Sequence, residues 1–228
     1  RPLAAKSRRI ATVEIDTRLL PLLEETLGEH KNINIINEDI MKVDLKELYE
    51  EWFKEGPVKV AANLPYYVTT PFLFKILKSS IPLASLTFMV QKEAARRITA
   101  KAGSKDYGVL TLLVQYFCEA SLLFKVPASV FFPRPEVESA VISLLPRERP
   151  AVKVADEDLF FALIKGAFQQ RRKTLANALE TVLPGEKELI KDILVKINLS
   201  PRVRGEDLTL QEFAILSEFI YNIKRKDS

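Results

Sequence analysis

The chain has one cysteine and one histidine in 228 residues, and each scarcity closes off a branch of chemistry. With Cys118 alone, neither an intramolecular disulfide nor a cysteine-built zinc cluster can form, and its apolar helical setting marks it as a core residue. With His30 alone, beside a predicted loop, there is no histidine metal cage and no histidine-based triad; it reads as a surface residue, and no metal is expected. Glycine is scarce too. The seven glycines, Gly28, Gly56, Gly103, Gly108, Gly166, Gly185 and Gly205, include no Gly-x-Gly pair, although cofactor-binding α/β folds ordinarily set such a loop after their first strand, where bare backbone N–H groups approach the ligand. No apolar run is long enough to span a bilayer, and the first nine residues contain no hydrophobic signal core, so a cytoplasmic protein without membrane attachment is expected. A dominant charge is also lacking: 34 Lys+Arg stand against 30 Asp+Glu, a net +4. A polyanion would have to be held by local basic clusters.

What is present is enough apolar material, 47% of residues, for one substantial core plus a smaller appendage. Short β-branched runs alternate with helical patterns through residue 145. Strands are predicted over 10–15, 33–37, 58–62 and 86–90, and helices after them over 19–27, 45–53, 71–79 and 92–100. That alternation implies a parallel, doubly wound sheet. A helix over 108–117 leads to two further strands, 121–125 and 140–145, which close the sheet with an antiparallel edge. Pro146-Arg147-Glu148-Arg149-Pro150 reads as a linker, and beyond it only helices are predicted, over 156–168, 172–182, 186–197 and 209–223. Asp156-Glu157-Asp158 places carboxylates at one helix start, and Thr209-Leu210-Gln211-Glu212 has the form of a capping box.

The most informative local feature is Asn63-Leu64-Pro65-Tyr66, which follows the strand-like run Val58-Lys59-Val60-Ala61-Ala62 and precedes a predicted helix start at Thr70-Pro71. An amide oxygen, a proline that fixes φ and lacks a competing N–H, and an aromatic face can together hold a planar exocyclic amine, such as that of an adenine drawn out of its stack. The competing reading is a strand-to-helix turn in which Asn63 caps and Pro65 stiffens.

The four residues match the Asn/Asp-x-Pro-Tyr/Phe signature of amino-methyltransferases, and the form Asn-Leu-Pro-Tyr-Tyr resembles the ribosomal RNA adenine dimethyltransferase family. The resemblance runs on in order along the chain. Val13-Glu14-Ile15-Asp16 is similar to the family's second-strand terminus, Asn37-Glu38-Asp39-Ile40 to its third, and the stretch from Val90-Gln91-Lys92-Glu93 through Arg97 to its fifth strand and following helix. Phe131-Phe132-Pro133-Arg134-Pro135-Glu136-Val137-Glu138-Ser139 and Phe168-Gln169-Gln170-Arg171-Arg172-Lys173-Thr174-Leu175 are likewise similar to family stretches. The resemblance implies a Rossmann-like class I methyltransferase sheet over 1–146 with a small all-α RNA-binding domain over 151–228. It also implies that the chain begins after the family's first strand and glycine loop, so that the sheet here is N-terminally truncated.

The roles implied by the resemblance are these. S-adenosyl-L-methionine is the cofactor, with the Glu14 carboxylate on its ribose hydroxyls, Asp39 on its adenine amine, and Ile15, Ile40 and Asn63 beside it. Asn63, with the carbonyl of Leu64 or Pro65, holds the target N6 amine, while Tyr66 and Phe131 stack on the base. The competing readings are an ion pair of Glu14 with Arg8 or Arg9, a turn role for Asp39, a helix cap for Asp16, and core packing for Phe131. Arg96, Arg97, Lys101 and Lys105, and Arg171, Arg172 and Lys173, are the candidate RNA contacts, each cluster otherwise a solvated face. The implied substrate is small-subunit ribosomal RNA within a pre-ribosomal particle, methylated to N6,N6-dimethyladenosine by a monomer. The alternatives are a large-subunit enzyme of the macrolide-resistance type, a noncatalytic assembly factor, and an amino-methyltransferase for DNA or protein.

Overall fold

The structure, a computed structural model, describes residues 2–226. The predicted alternation of strand and helix is what the chain forms. β1 (Ile10–Val13), α1 (Leu20–Leu27), β2 (Ile33–Ile36), α2 (Leu45–Leu48), β3 (Val58–Asn63), α3 (Tyr66–Leu77), β4 (Leu83–Gln91) and α4 (Lys92–Ile98) follow one another, then α5 (Val109–Phe117), β5 (Cys118–Val126) and β6 (Ser139–Pro146). The remainder is helical: α6 (Glu157–Gln169), α7 (Leu175–Ala178), α8 (Lys187–Lys196) and α9 (Leu210–Lys226). The strands form a two-stranded parallel sheet, β1-β2, and a four-stranded sheet in the order β3-β4-β6-β5. β3 runs parallel to β4, since Val58 N–H donates to Pro82 and Leu64 N–H to Met89, partners that advance together. β6 is antiparallel to β4 and to β5, which is the expected antiparallel edge.

The chain divides into two compact units, Arg1–Val60 with Tyr67–Ser85, and Ala61–Tyr66 with Leu86–Ser228. In the second, Leu86, Phe88 and Val90 of β4 lie opposite Leu144, Ile142 and Ala140 of β6, all fully buried on one face. The helices after residue 150 pack through α6 and α9 onto α5. Tyr116, Phe117, Phe160 and Phe161 form a ring cluster with centroids 4.7–5.9 Å apart, and the buried Tyr107 hydroxyl donates to the Leu208 carbonyl at 2.8 Å. The 146–150 segment is pinned down: Arg147 N–H donates to Phe117 O, Ala151 N–H to Tyr116 O, and the Arg147 guanidinium pairs with Glu119 at 2.9 Å.

Three local expectations need correction. The helix expected from Pro71 starts at Tyr66 and contains Pro71. Thr70-Pro71 has the form of a start signal, but Pro65 stands directly before the first helical residue, and Thr69, Phe72, Leu73 and Ile76 are buried. The helix expected over 172–182 is only α7 followed by a 3-10 turn, Leu179–Thr181. Arg171 to Lys173 lie in a turn, because the chain is caught at Leu175, whose N–H donates to Val203 O at 2.7 Å. Cys118 is buried as expected, but it opens β5 instead of lying in a helix. Both helix starts are as read. Asp156 accepts from Leu159 N–H, and Thr209 and Glu212 exchange side-chain and backbone bonds.

Candidate functional site

Parallel strands present their carboxyl ends together, and the sequence places its carboxylates there. In the first unit β1 and β2 are in register from Ile10↔Ile33 to Val13↔Ile36, so Glu14 and Asn37 follow the two strands side by side. Glu14 N–H donates to Ile36 O at 3.0 Å, and the Asn37 amide donates to Glu14 O at 2.8 Å, tying the two tips together. One carboxylate oxygen of Glu14 accepts from Asp16 N–H at 2.8 Å, and the other receives no hydrogen bond from the described residues. The competing ion pair does not form: Arg8 pairs with Glu55 at 2.7 Å, and Arg9 donates to the Trp52 carbonyl and lies over the Trp52 ring.

Asp39 fills the turn role named as its competitor, with Oδ1 accepting from Met41 N–H at 2.9 Å; its other oxygen receives no bond from the described residues. Ile40 is half-buried beside it, and Ile15 is exposed. Asp16 caps the turn that precedes α1 through Arg18 N–H. The Arg18 side chain, hydrogen-bonded to Asp16, draws that carboxyl down to about 2. This acceptor set suits a nucleoside: two carboxylates at adjacent strand ends, each with an oxygen that receives no bond from the described residues, match hydroxyl and amine hydrogens.

In the second unit Asn63 ends β3 and is exposed, its carboxamide without a hydrogen-bond partner among the described residues. The next residue is fixed. Leu64 is buried, and its N–H donates to Met89 O at 3.1 Å. Pro65 is exposed, and Tyr66 begins α3, the side chain expected to stack lying outside the described part of the structure. Because Gln91 of β4 is paired with Ser139 of β6, the loop that enters β6 lies at the same end of the sheet as Asn63. Phe131, in that loop, is half-buried, with its N–H on Ala128 O.

The sequence reading missed what roots this loop: Lys92 N–H donates to Glu138 O, and the Lys92 ammonium is bonded to the Glu138 carboxylate. That hydrogen bond, with Lys125 and Arg96 adding to it, holds the Glu138 carboxyl below its ordinary range. Both residues lay within quoted stretches, yet only the strand register brings them face to face.

The two basic clusters meet. Arg171 donates to Glu206 through Nε and Nη2 and to the Lys105 carbonyl through Nη1 at 2.9 Å, while Gly103 N–H donates to Glu206 O. Lys105 and Arg171, 66 residues apart in sequence, are thus neighbours. Arg171 is a strut in this arrangement, and Arg97 pairs with Glu93. Arg96, Lys101, Lys105, Arg172 and Lys173 are exposed.

A cavity of about 460 Å³ lined by Arg8, Arg9, Lys31, Asn32, Glu51, Trp52 and Lys54 lies at the amino ends of β1 and β2, opposite the end that bears Glu14 and Asp39. Among the described residues there is no cluster of three or more metal-ligating side chains and no helix long and apolar enough to cross a membrane.

Residues 1–218 match the family described as Ribosomal RNA adenine dimethylase. The Ribosomal RNA small subunit methyltransferase A of Bacillus cytotoxicus is 46% identical over 228 residues, which cover 98% of this chain and 78% of that protein. Its counterpart in Alkaliphilus oremlandii is 50% identical over 216 residues, covering 94% and 75%. Among solved structures, a dimethyladenosine transferase from Plasmodium falciparum superposes with a TM-score of 0.77 at 22% identity, over 99% of this chain and 86% of that one. The 23S rRNA methyltransferase ErmE does so with 0.66 at 22%, over 96% and 84%. At 22% identity these two likenesses show a shared fold.

Proposed function

We propose, from the premise that this chain belongs to the ribosomal RNA adenine dimethylase family, that it transfers methyl groups to the N6 amine of adenines in small-subunit ribosomal RNA, giving N6,N6-dimethyladenosine. S-adenosylmethionine supplies the electrophilic methyl on its sulfonium. Glu14 and Asp39 hold its ribose hydroxyls and adenine amine through the carboxylate oxygens left over from local bonds, with Ile15 and Ile40 beside the ring.

The observation that supports the chemistry most directly is the exposed carboxamide of Asn63, without a partner among the described residues, on a strand tip held by the Leu64–Met89 bond. An adenine N6 lone pair is delocalised into its ring. An amide oxygen from Asn63 and a carbonyl from Leu64 or Pro65 accept its two hydrogens and favour a pyramidal nitrogen that can attack in line. No tuned base is needed first, because the proton becomes acidic only after nitrogen has gained the methyl. Tyr66 and Phe131 stack on the extruded base. A second transfer uses the one hydrogen that the monomethylated amine keeps.

The strand-bearing portion, 1–146, performs this step, and the helices of 151–228 hold RNA phosphates with Arg172 and Lys173, joined by Arg96, Lys101 and Lys105. The protein acts as a cytoplasmic monomer on a pre-ribosomal particle. Relatives at 46% and 50% identity bear the small-subunit name, which favours this reading over the large-subunit one.

Tritiated-methyl transfer to undermethylated small subunits is the test. Wild type is expected to incorporate label, and Asn63→Ala to lose it by about 100-fold or more, the scale for removing one transition-state hydrogen-bonding group. Equal incorporation by the variant would overturn the role of Asn63. No incorporation by wild type would overturn the function.

A further inference from the structure

Phe132 is the most exposed phenylalanine of the described chain, with a relative exposure of 102%, while Phe124 follows at 58%. A ring wholly in water forgoes the burial that drives folding, so its place there calls for a use outside the fold. It is held in position. On one side a 3-10 turn, Ala128–Val130, closes with Val130 N–H on Pro127 O and Phe131 N–H on Ala128 O. On the other, Pro133 and Pro135 restrict the backbone before Lys92 fastens Glu138 and Ser139 enters the sheet opposite Gln91. Val130 and Val137 lie exposed along the same loop.

The surroundings are cationic. Lys92, Lys125 and Arg96 all act on Glu138, and Arg134 is exposed two residues after Phe132; the acids here are Glu136 on the loop, Glu138 bonded to Lys92, and Glu93 paired with Arg97. A flat apolar face within an excess of positive charge suits a partner that alternates planar rings with phosphates. An apolar protein surface would gain nothing from the rim. Because the loop enters β6 at the sheet end that bears Asn63, the partner is the strand that delivers the target base.

We infer that Phe132 is a stacking platform for an unpaired base beside the extruded adenine, with Arg134 and Lys125 on the adjoining phosphates. This rests on the function proposed above and adds to it a residue that grips the flanking RNA.

An oligoadenylate carrying one 2-aminopurine, whose fluorescence is quenched on stacking, serves as the probe. Wild type quenches it. Phe132→Ala and Phe132→Leu are expected to bind about tenfold more weakly, and Phe132→Trp to restore both affinity and quenching. The urea midpoint of each variant should equal that of wild type, since the ring is fully exposed. With undermethylated small subunits Phe132→Ala is expected to raise KM about tenfold and to leave kcat unchanged, the pattern of binding lost equally from ground and transition states. Wild-type affinity in Phe132→Ala overturns the inference, as does wild-type affinity in Phe132→Leu, which would show that apolar bulk and not a stacking ring holds the oligonucleotide. The two readings fail separately. If wild type binds the oligonucleotide through Phe132 yet transfers no methyl, the function falls and the platform stands; if wild type transfers methyl and Phe132→Ala matches it in KM, only the platform falls.

Discussion

Single residues divide into those spent on the fold and those left with capacity. Among the described residues Glu14 uses one oxygen on Asp16 N–H and keeps the other. Glu14→Gln preserves the first bond and replaces the second acceptor by a donor. We expect calorimetry to show about tenfold weaker binding of S-adenosylmethionine, equivalent to roughly 1.4 kcal/mol. The same division separates two adjacent arginines that look equivalent in the sequence. Arg171 is fixed by Glu206 and the Lys105 carbonyl, whereas Arg172 is exposed. Arg171→Ala should lower stability by about 0.5–1 kcal/mol in urea denaturation, a modest figure because the pair is partly solvated. Arg172→Ala should leave stability within about 0.5 kcal/mol and, on the proposed function, flatten the salt dependence of RNA binding by removing a phosphate contact. Equal stability losses in both variants would refute the distinction.

At the scale of elements, the helical part depends on how closely α6 approaches the chain after α7. A Cβ on Gly166 would stand 2.5 Å from Val182 Cγ2 and 3.3 Å from Leu179 Cδ2. Alanine in a helix interior gains up to about 1 kcal/mol over glycine. Valine is stiff at χ1 and cannot yield that space cheaply, so overpacking at about 1–3 kcal/mol wins. Gly166→Ala should therefore unfold at lower urea, and a raised midpoint would show that the helices part without cost. Element ends were legible where a side chain caps them, as at Asp156 and Thr209. They were misread where packing decides, as at Tyr66, where buried Thr69, Phe72 and Leu73 carry the helix back past the proline that seemed to start it.

For the whole molecule, buried protons set the alkaline limit. Burial pushes the Cys118 thiol up to about 12, and burial together with the Glu157 carboxylate pushes the Tyr116 phenol up to about 12. In an unfolded chain these groups ionise near about 9 and 10. Between those values and about 12 the folded state keeps protons that the unfolded state has lost, so stability is complete below about pH 9 and falls as pH rises toward 12. Urea midpoints should decline across that range, and native Cys118 should resist a thiol reagent at pH 8 yet react once unfolded. A flat profile with a reactive native thiol would contradict the burial of both groups.

The order of strands and helices, the capped helix starts, the antiparallel edge and the carboxylates and amide at strand ends were all determined by local sequence, because hydrophobic period and capping chemistry act over a few residues. Tertiary structure alone decided that Arg8 and Arg9 leave Glu14 to itself, that Lys105 meets Arg171, that Lys92 anchors the Phe131 loop and that the 146–150 segment is fastened to α5 and β5. Each of those depends on strand register or helix packing between residues tens of positions apart, and no window of sequence contains both partners.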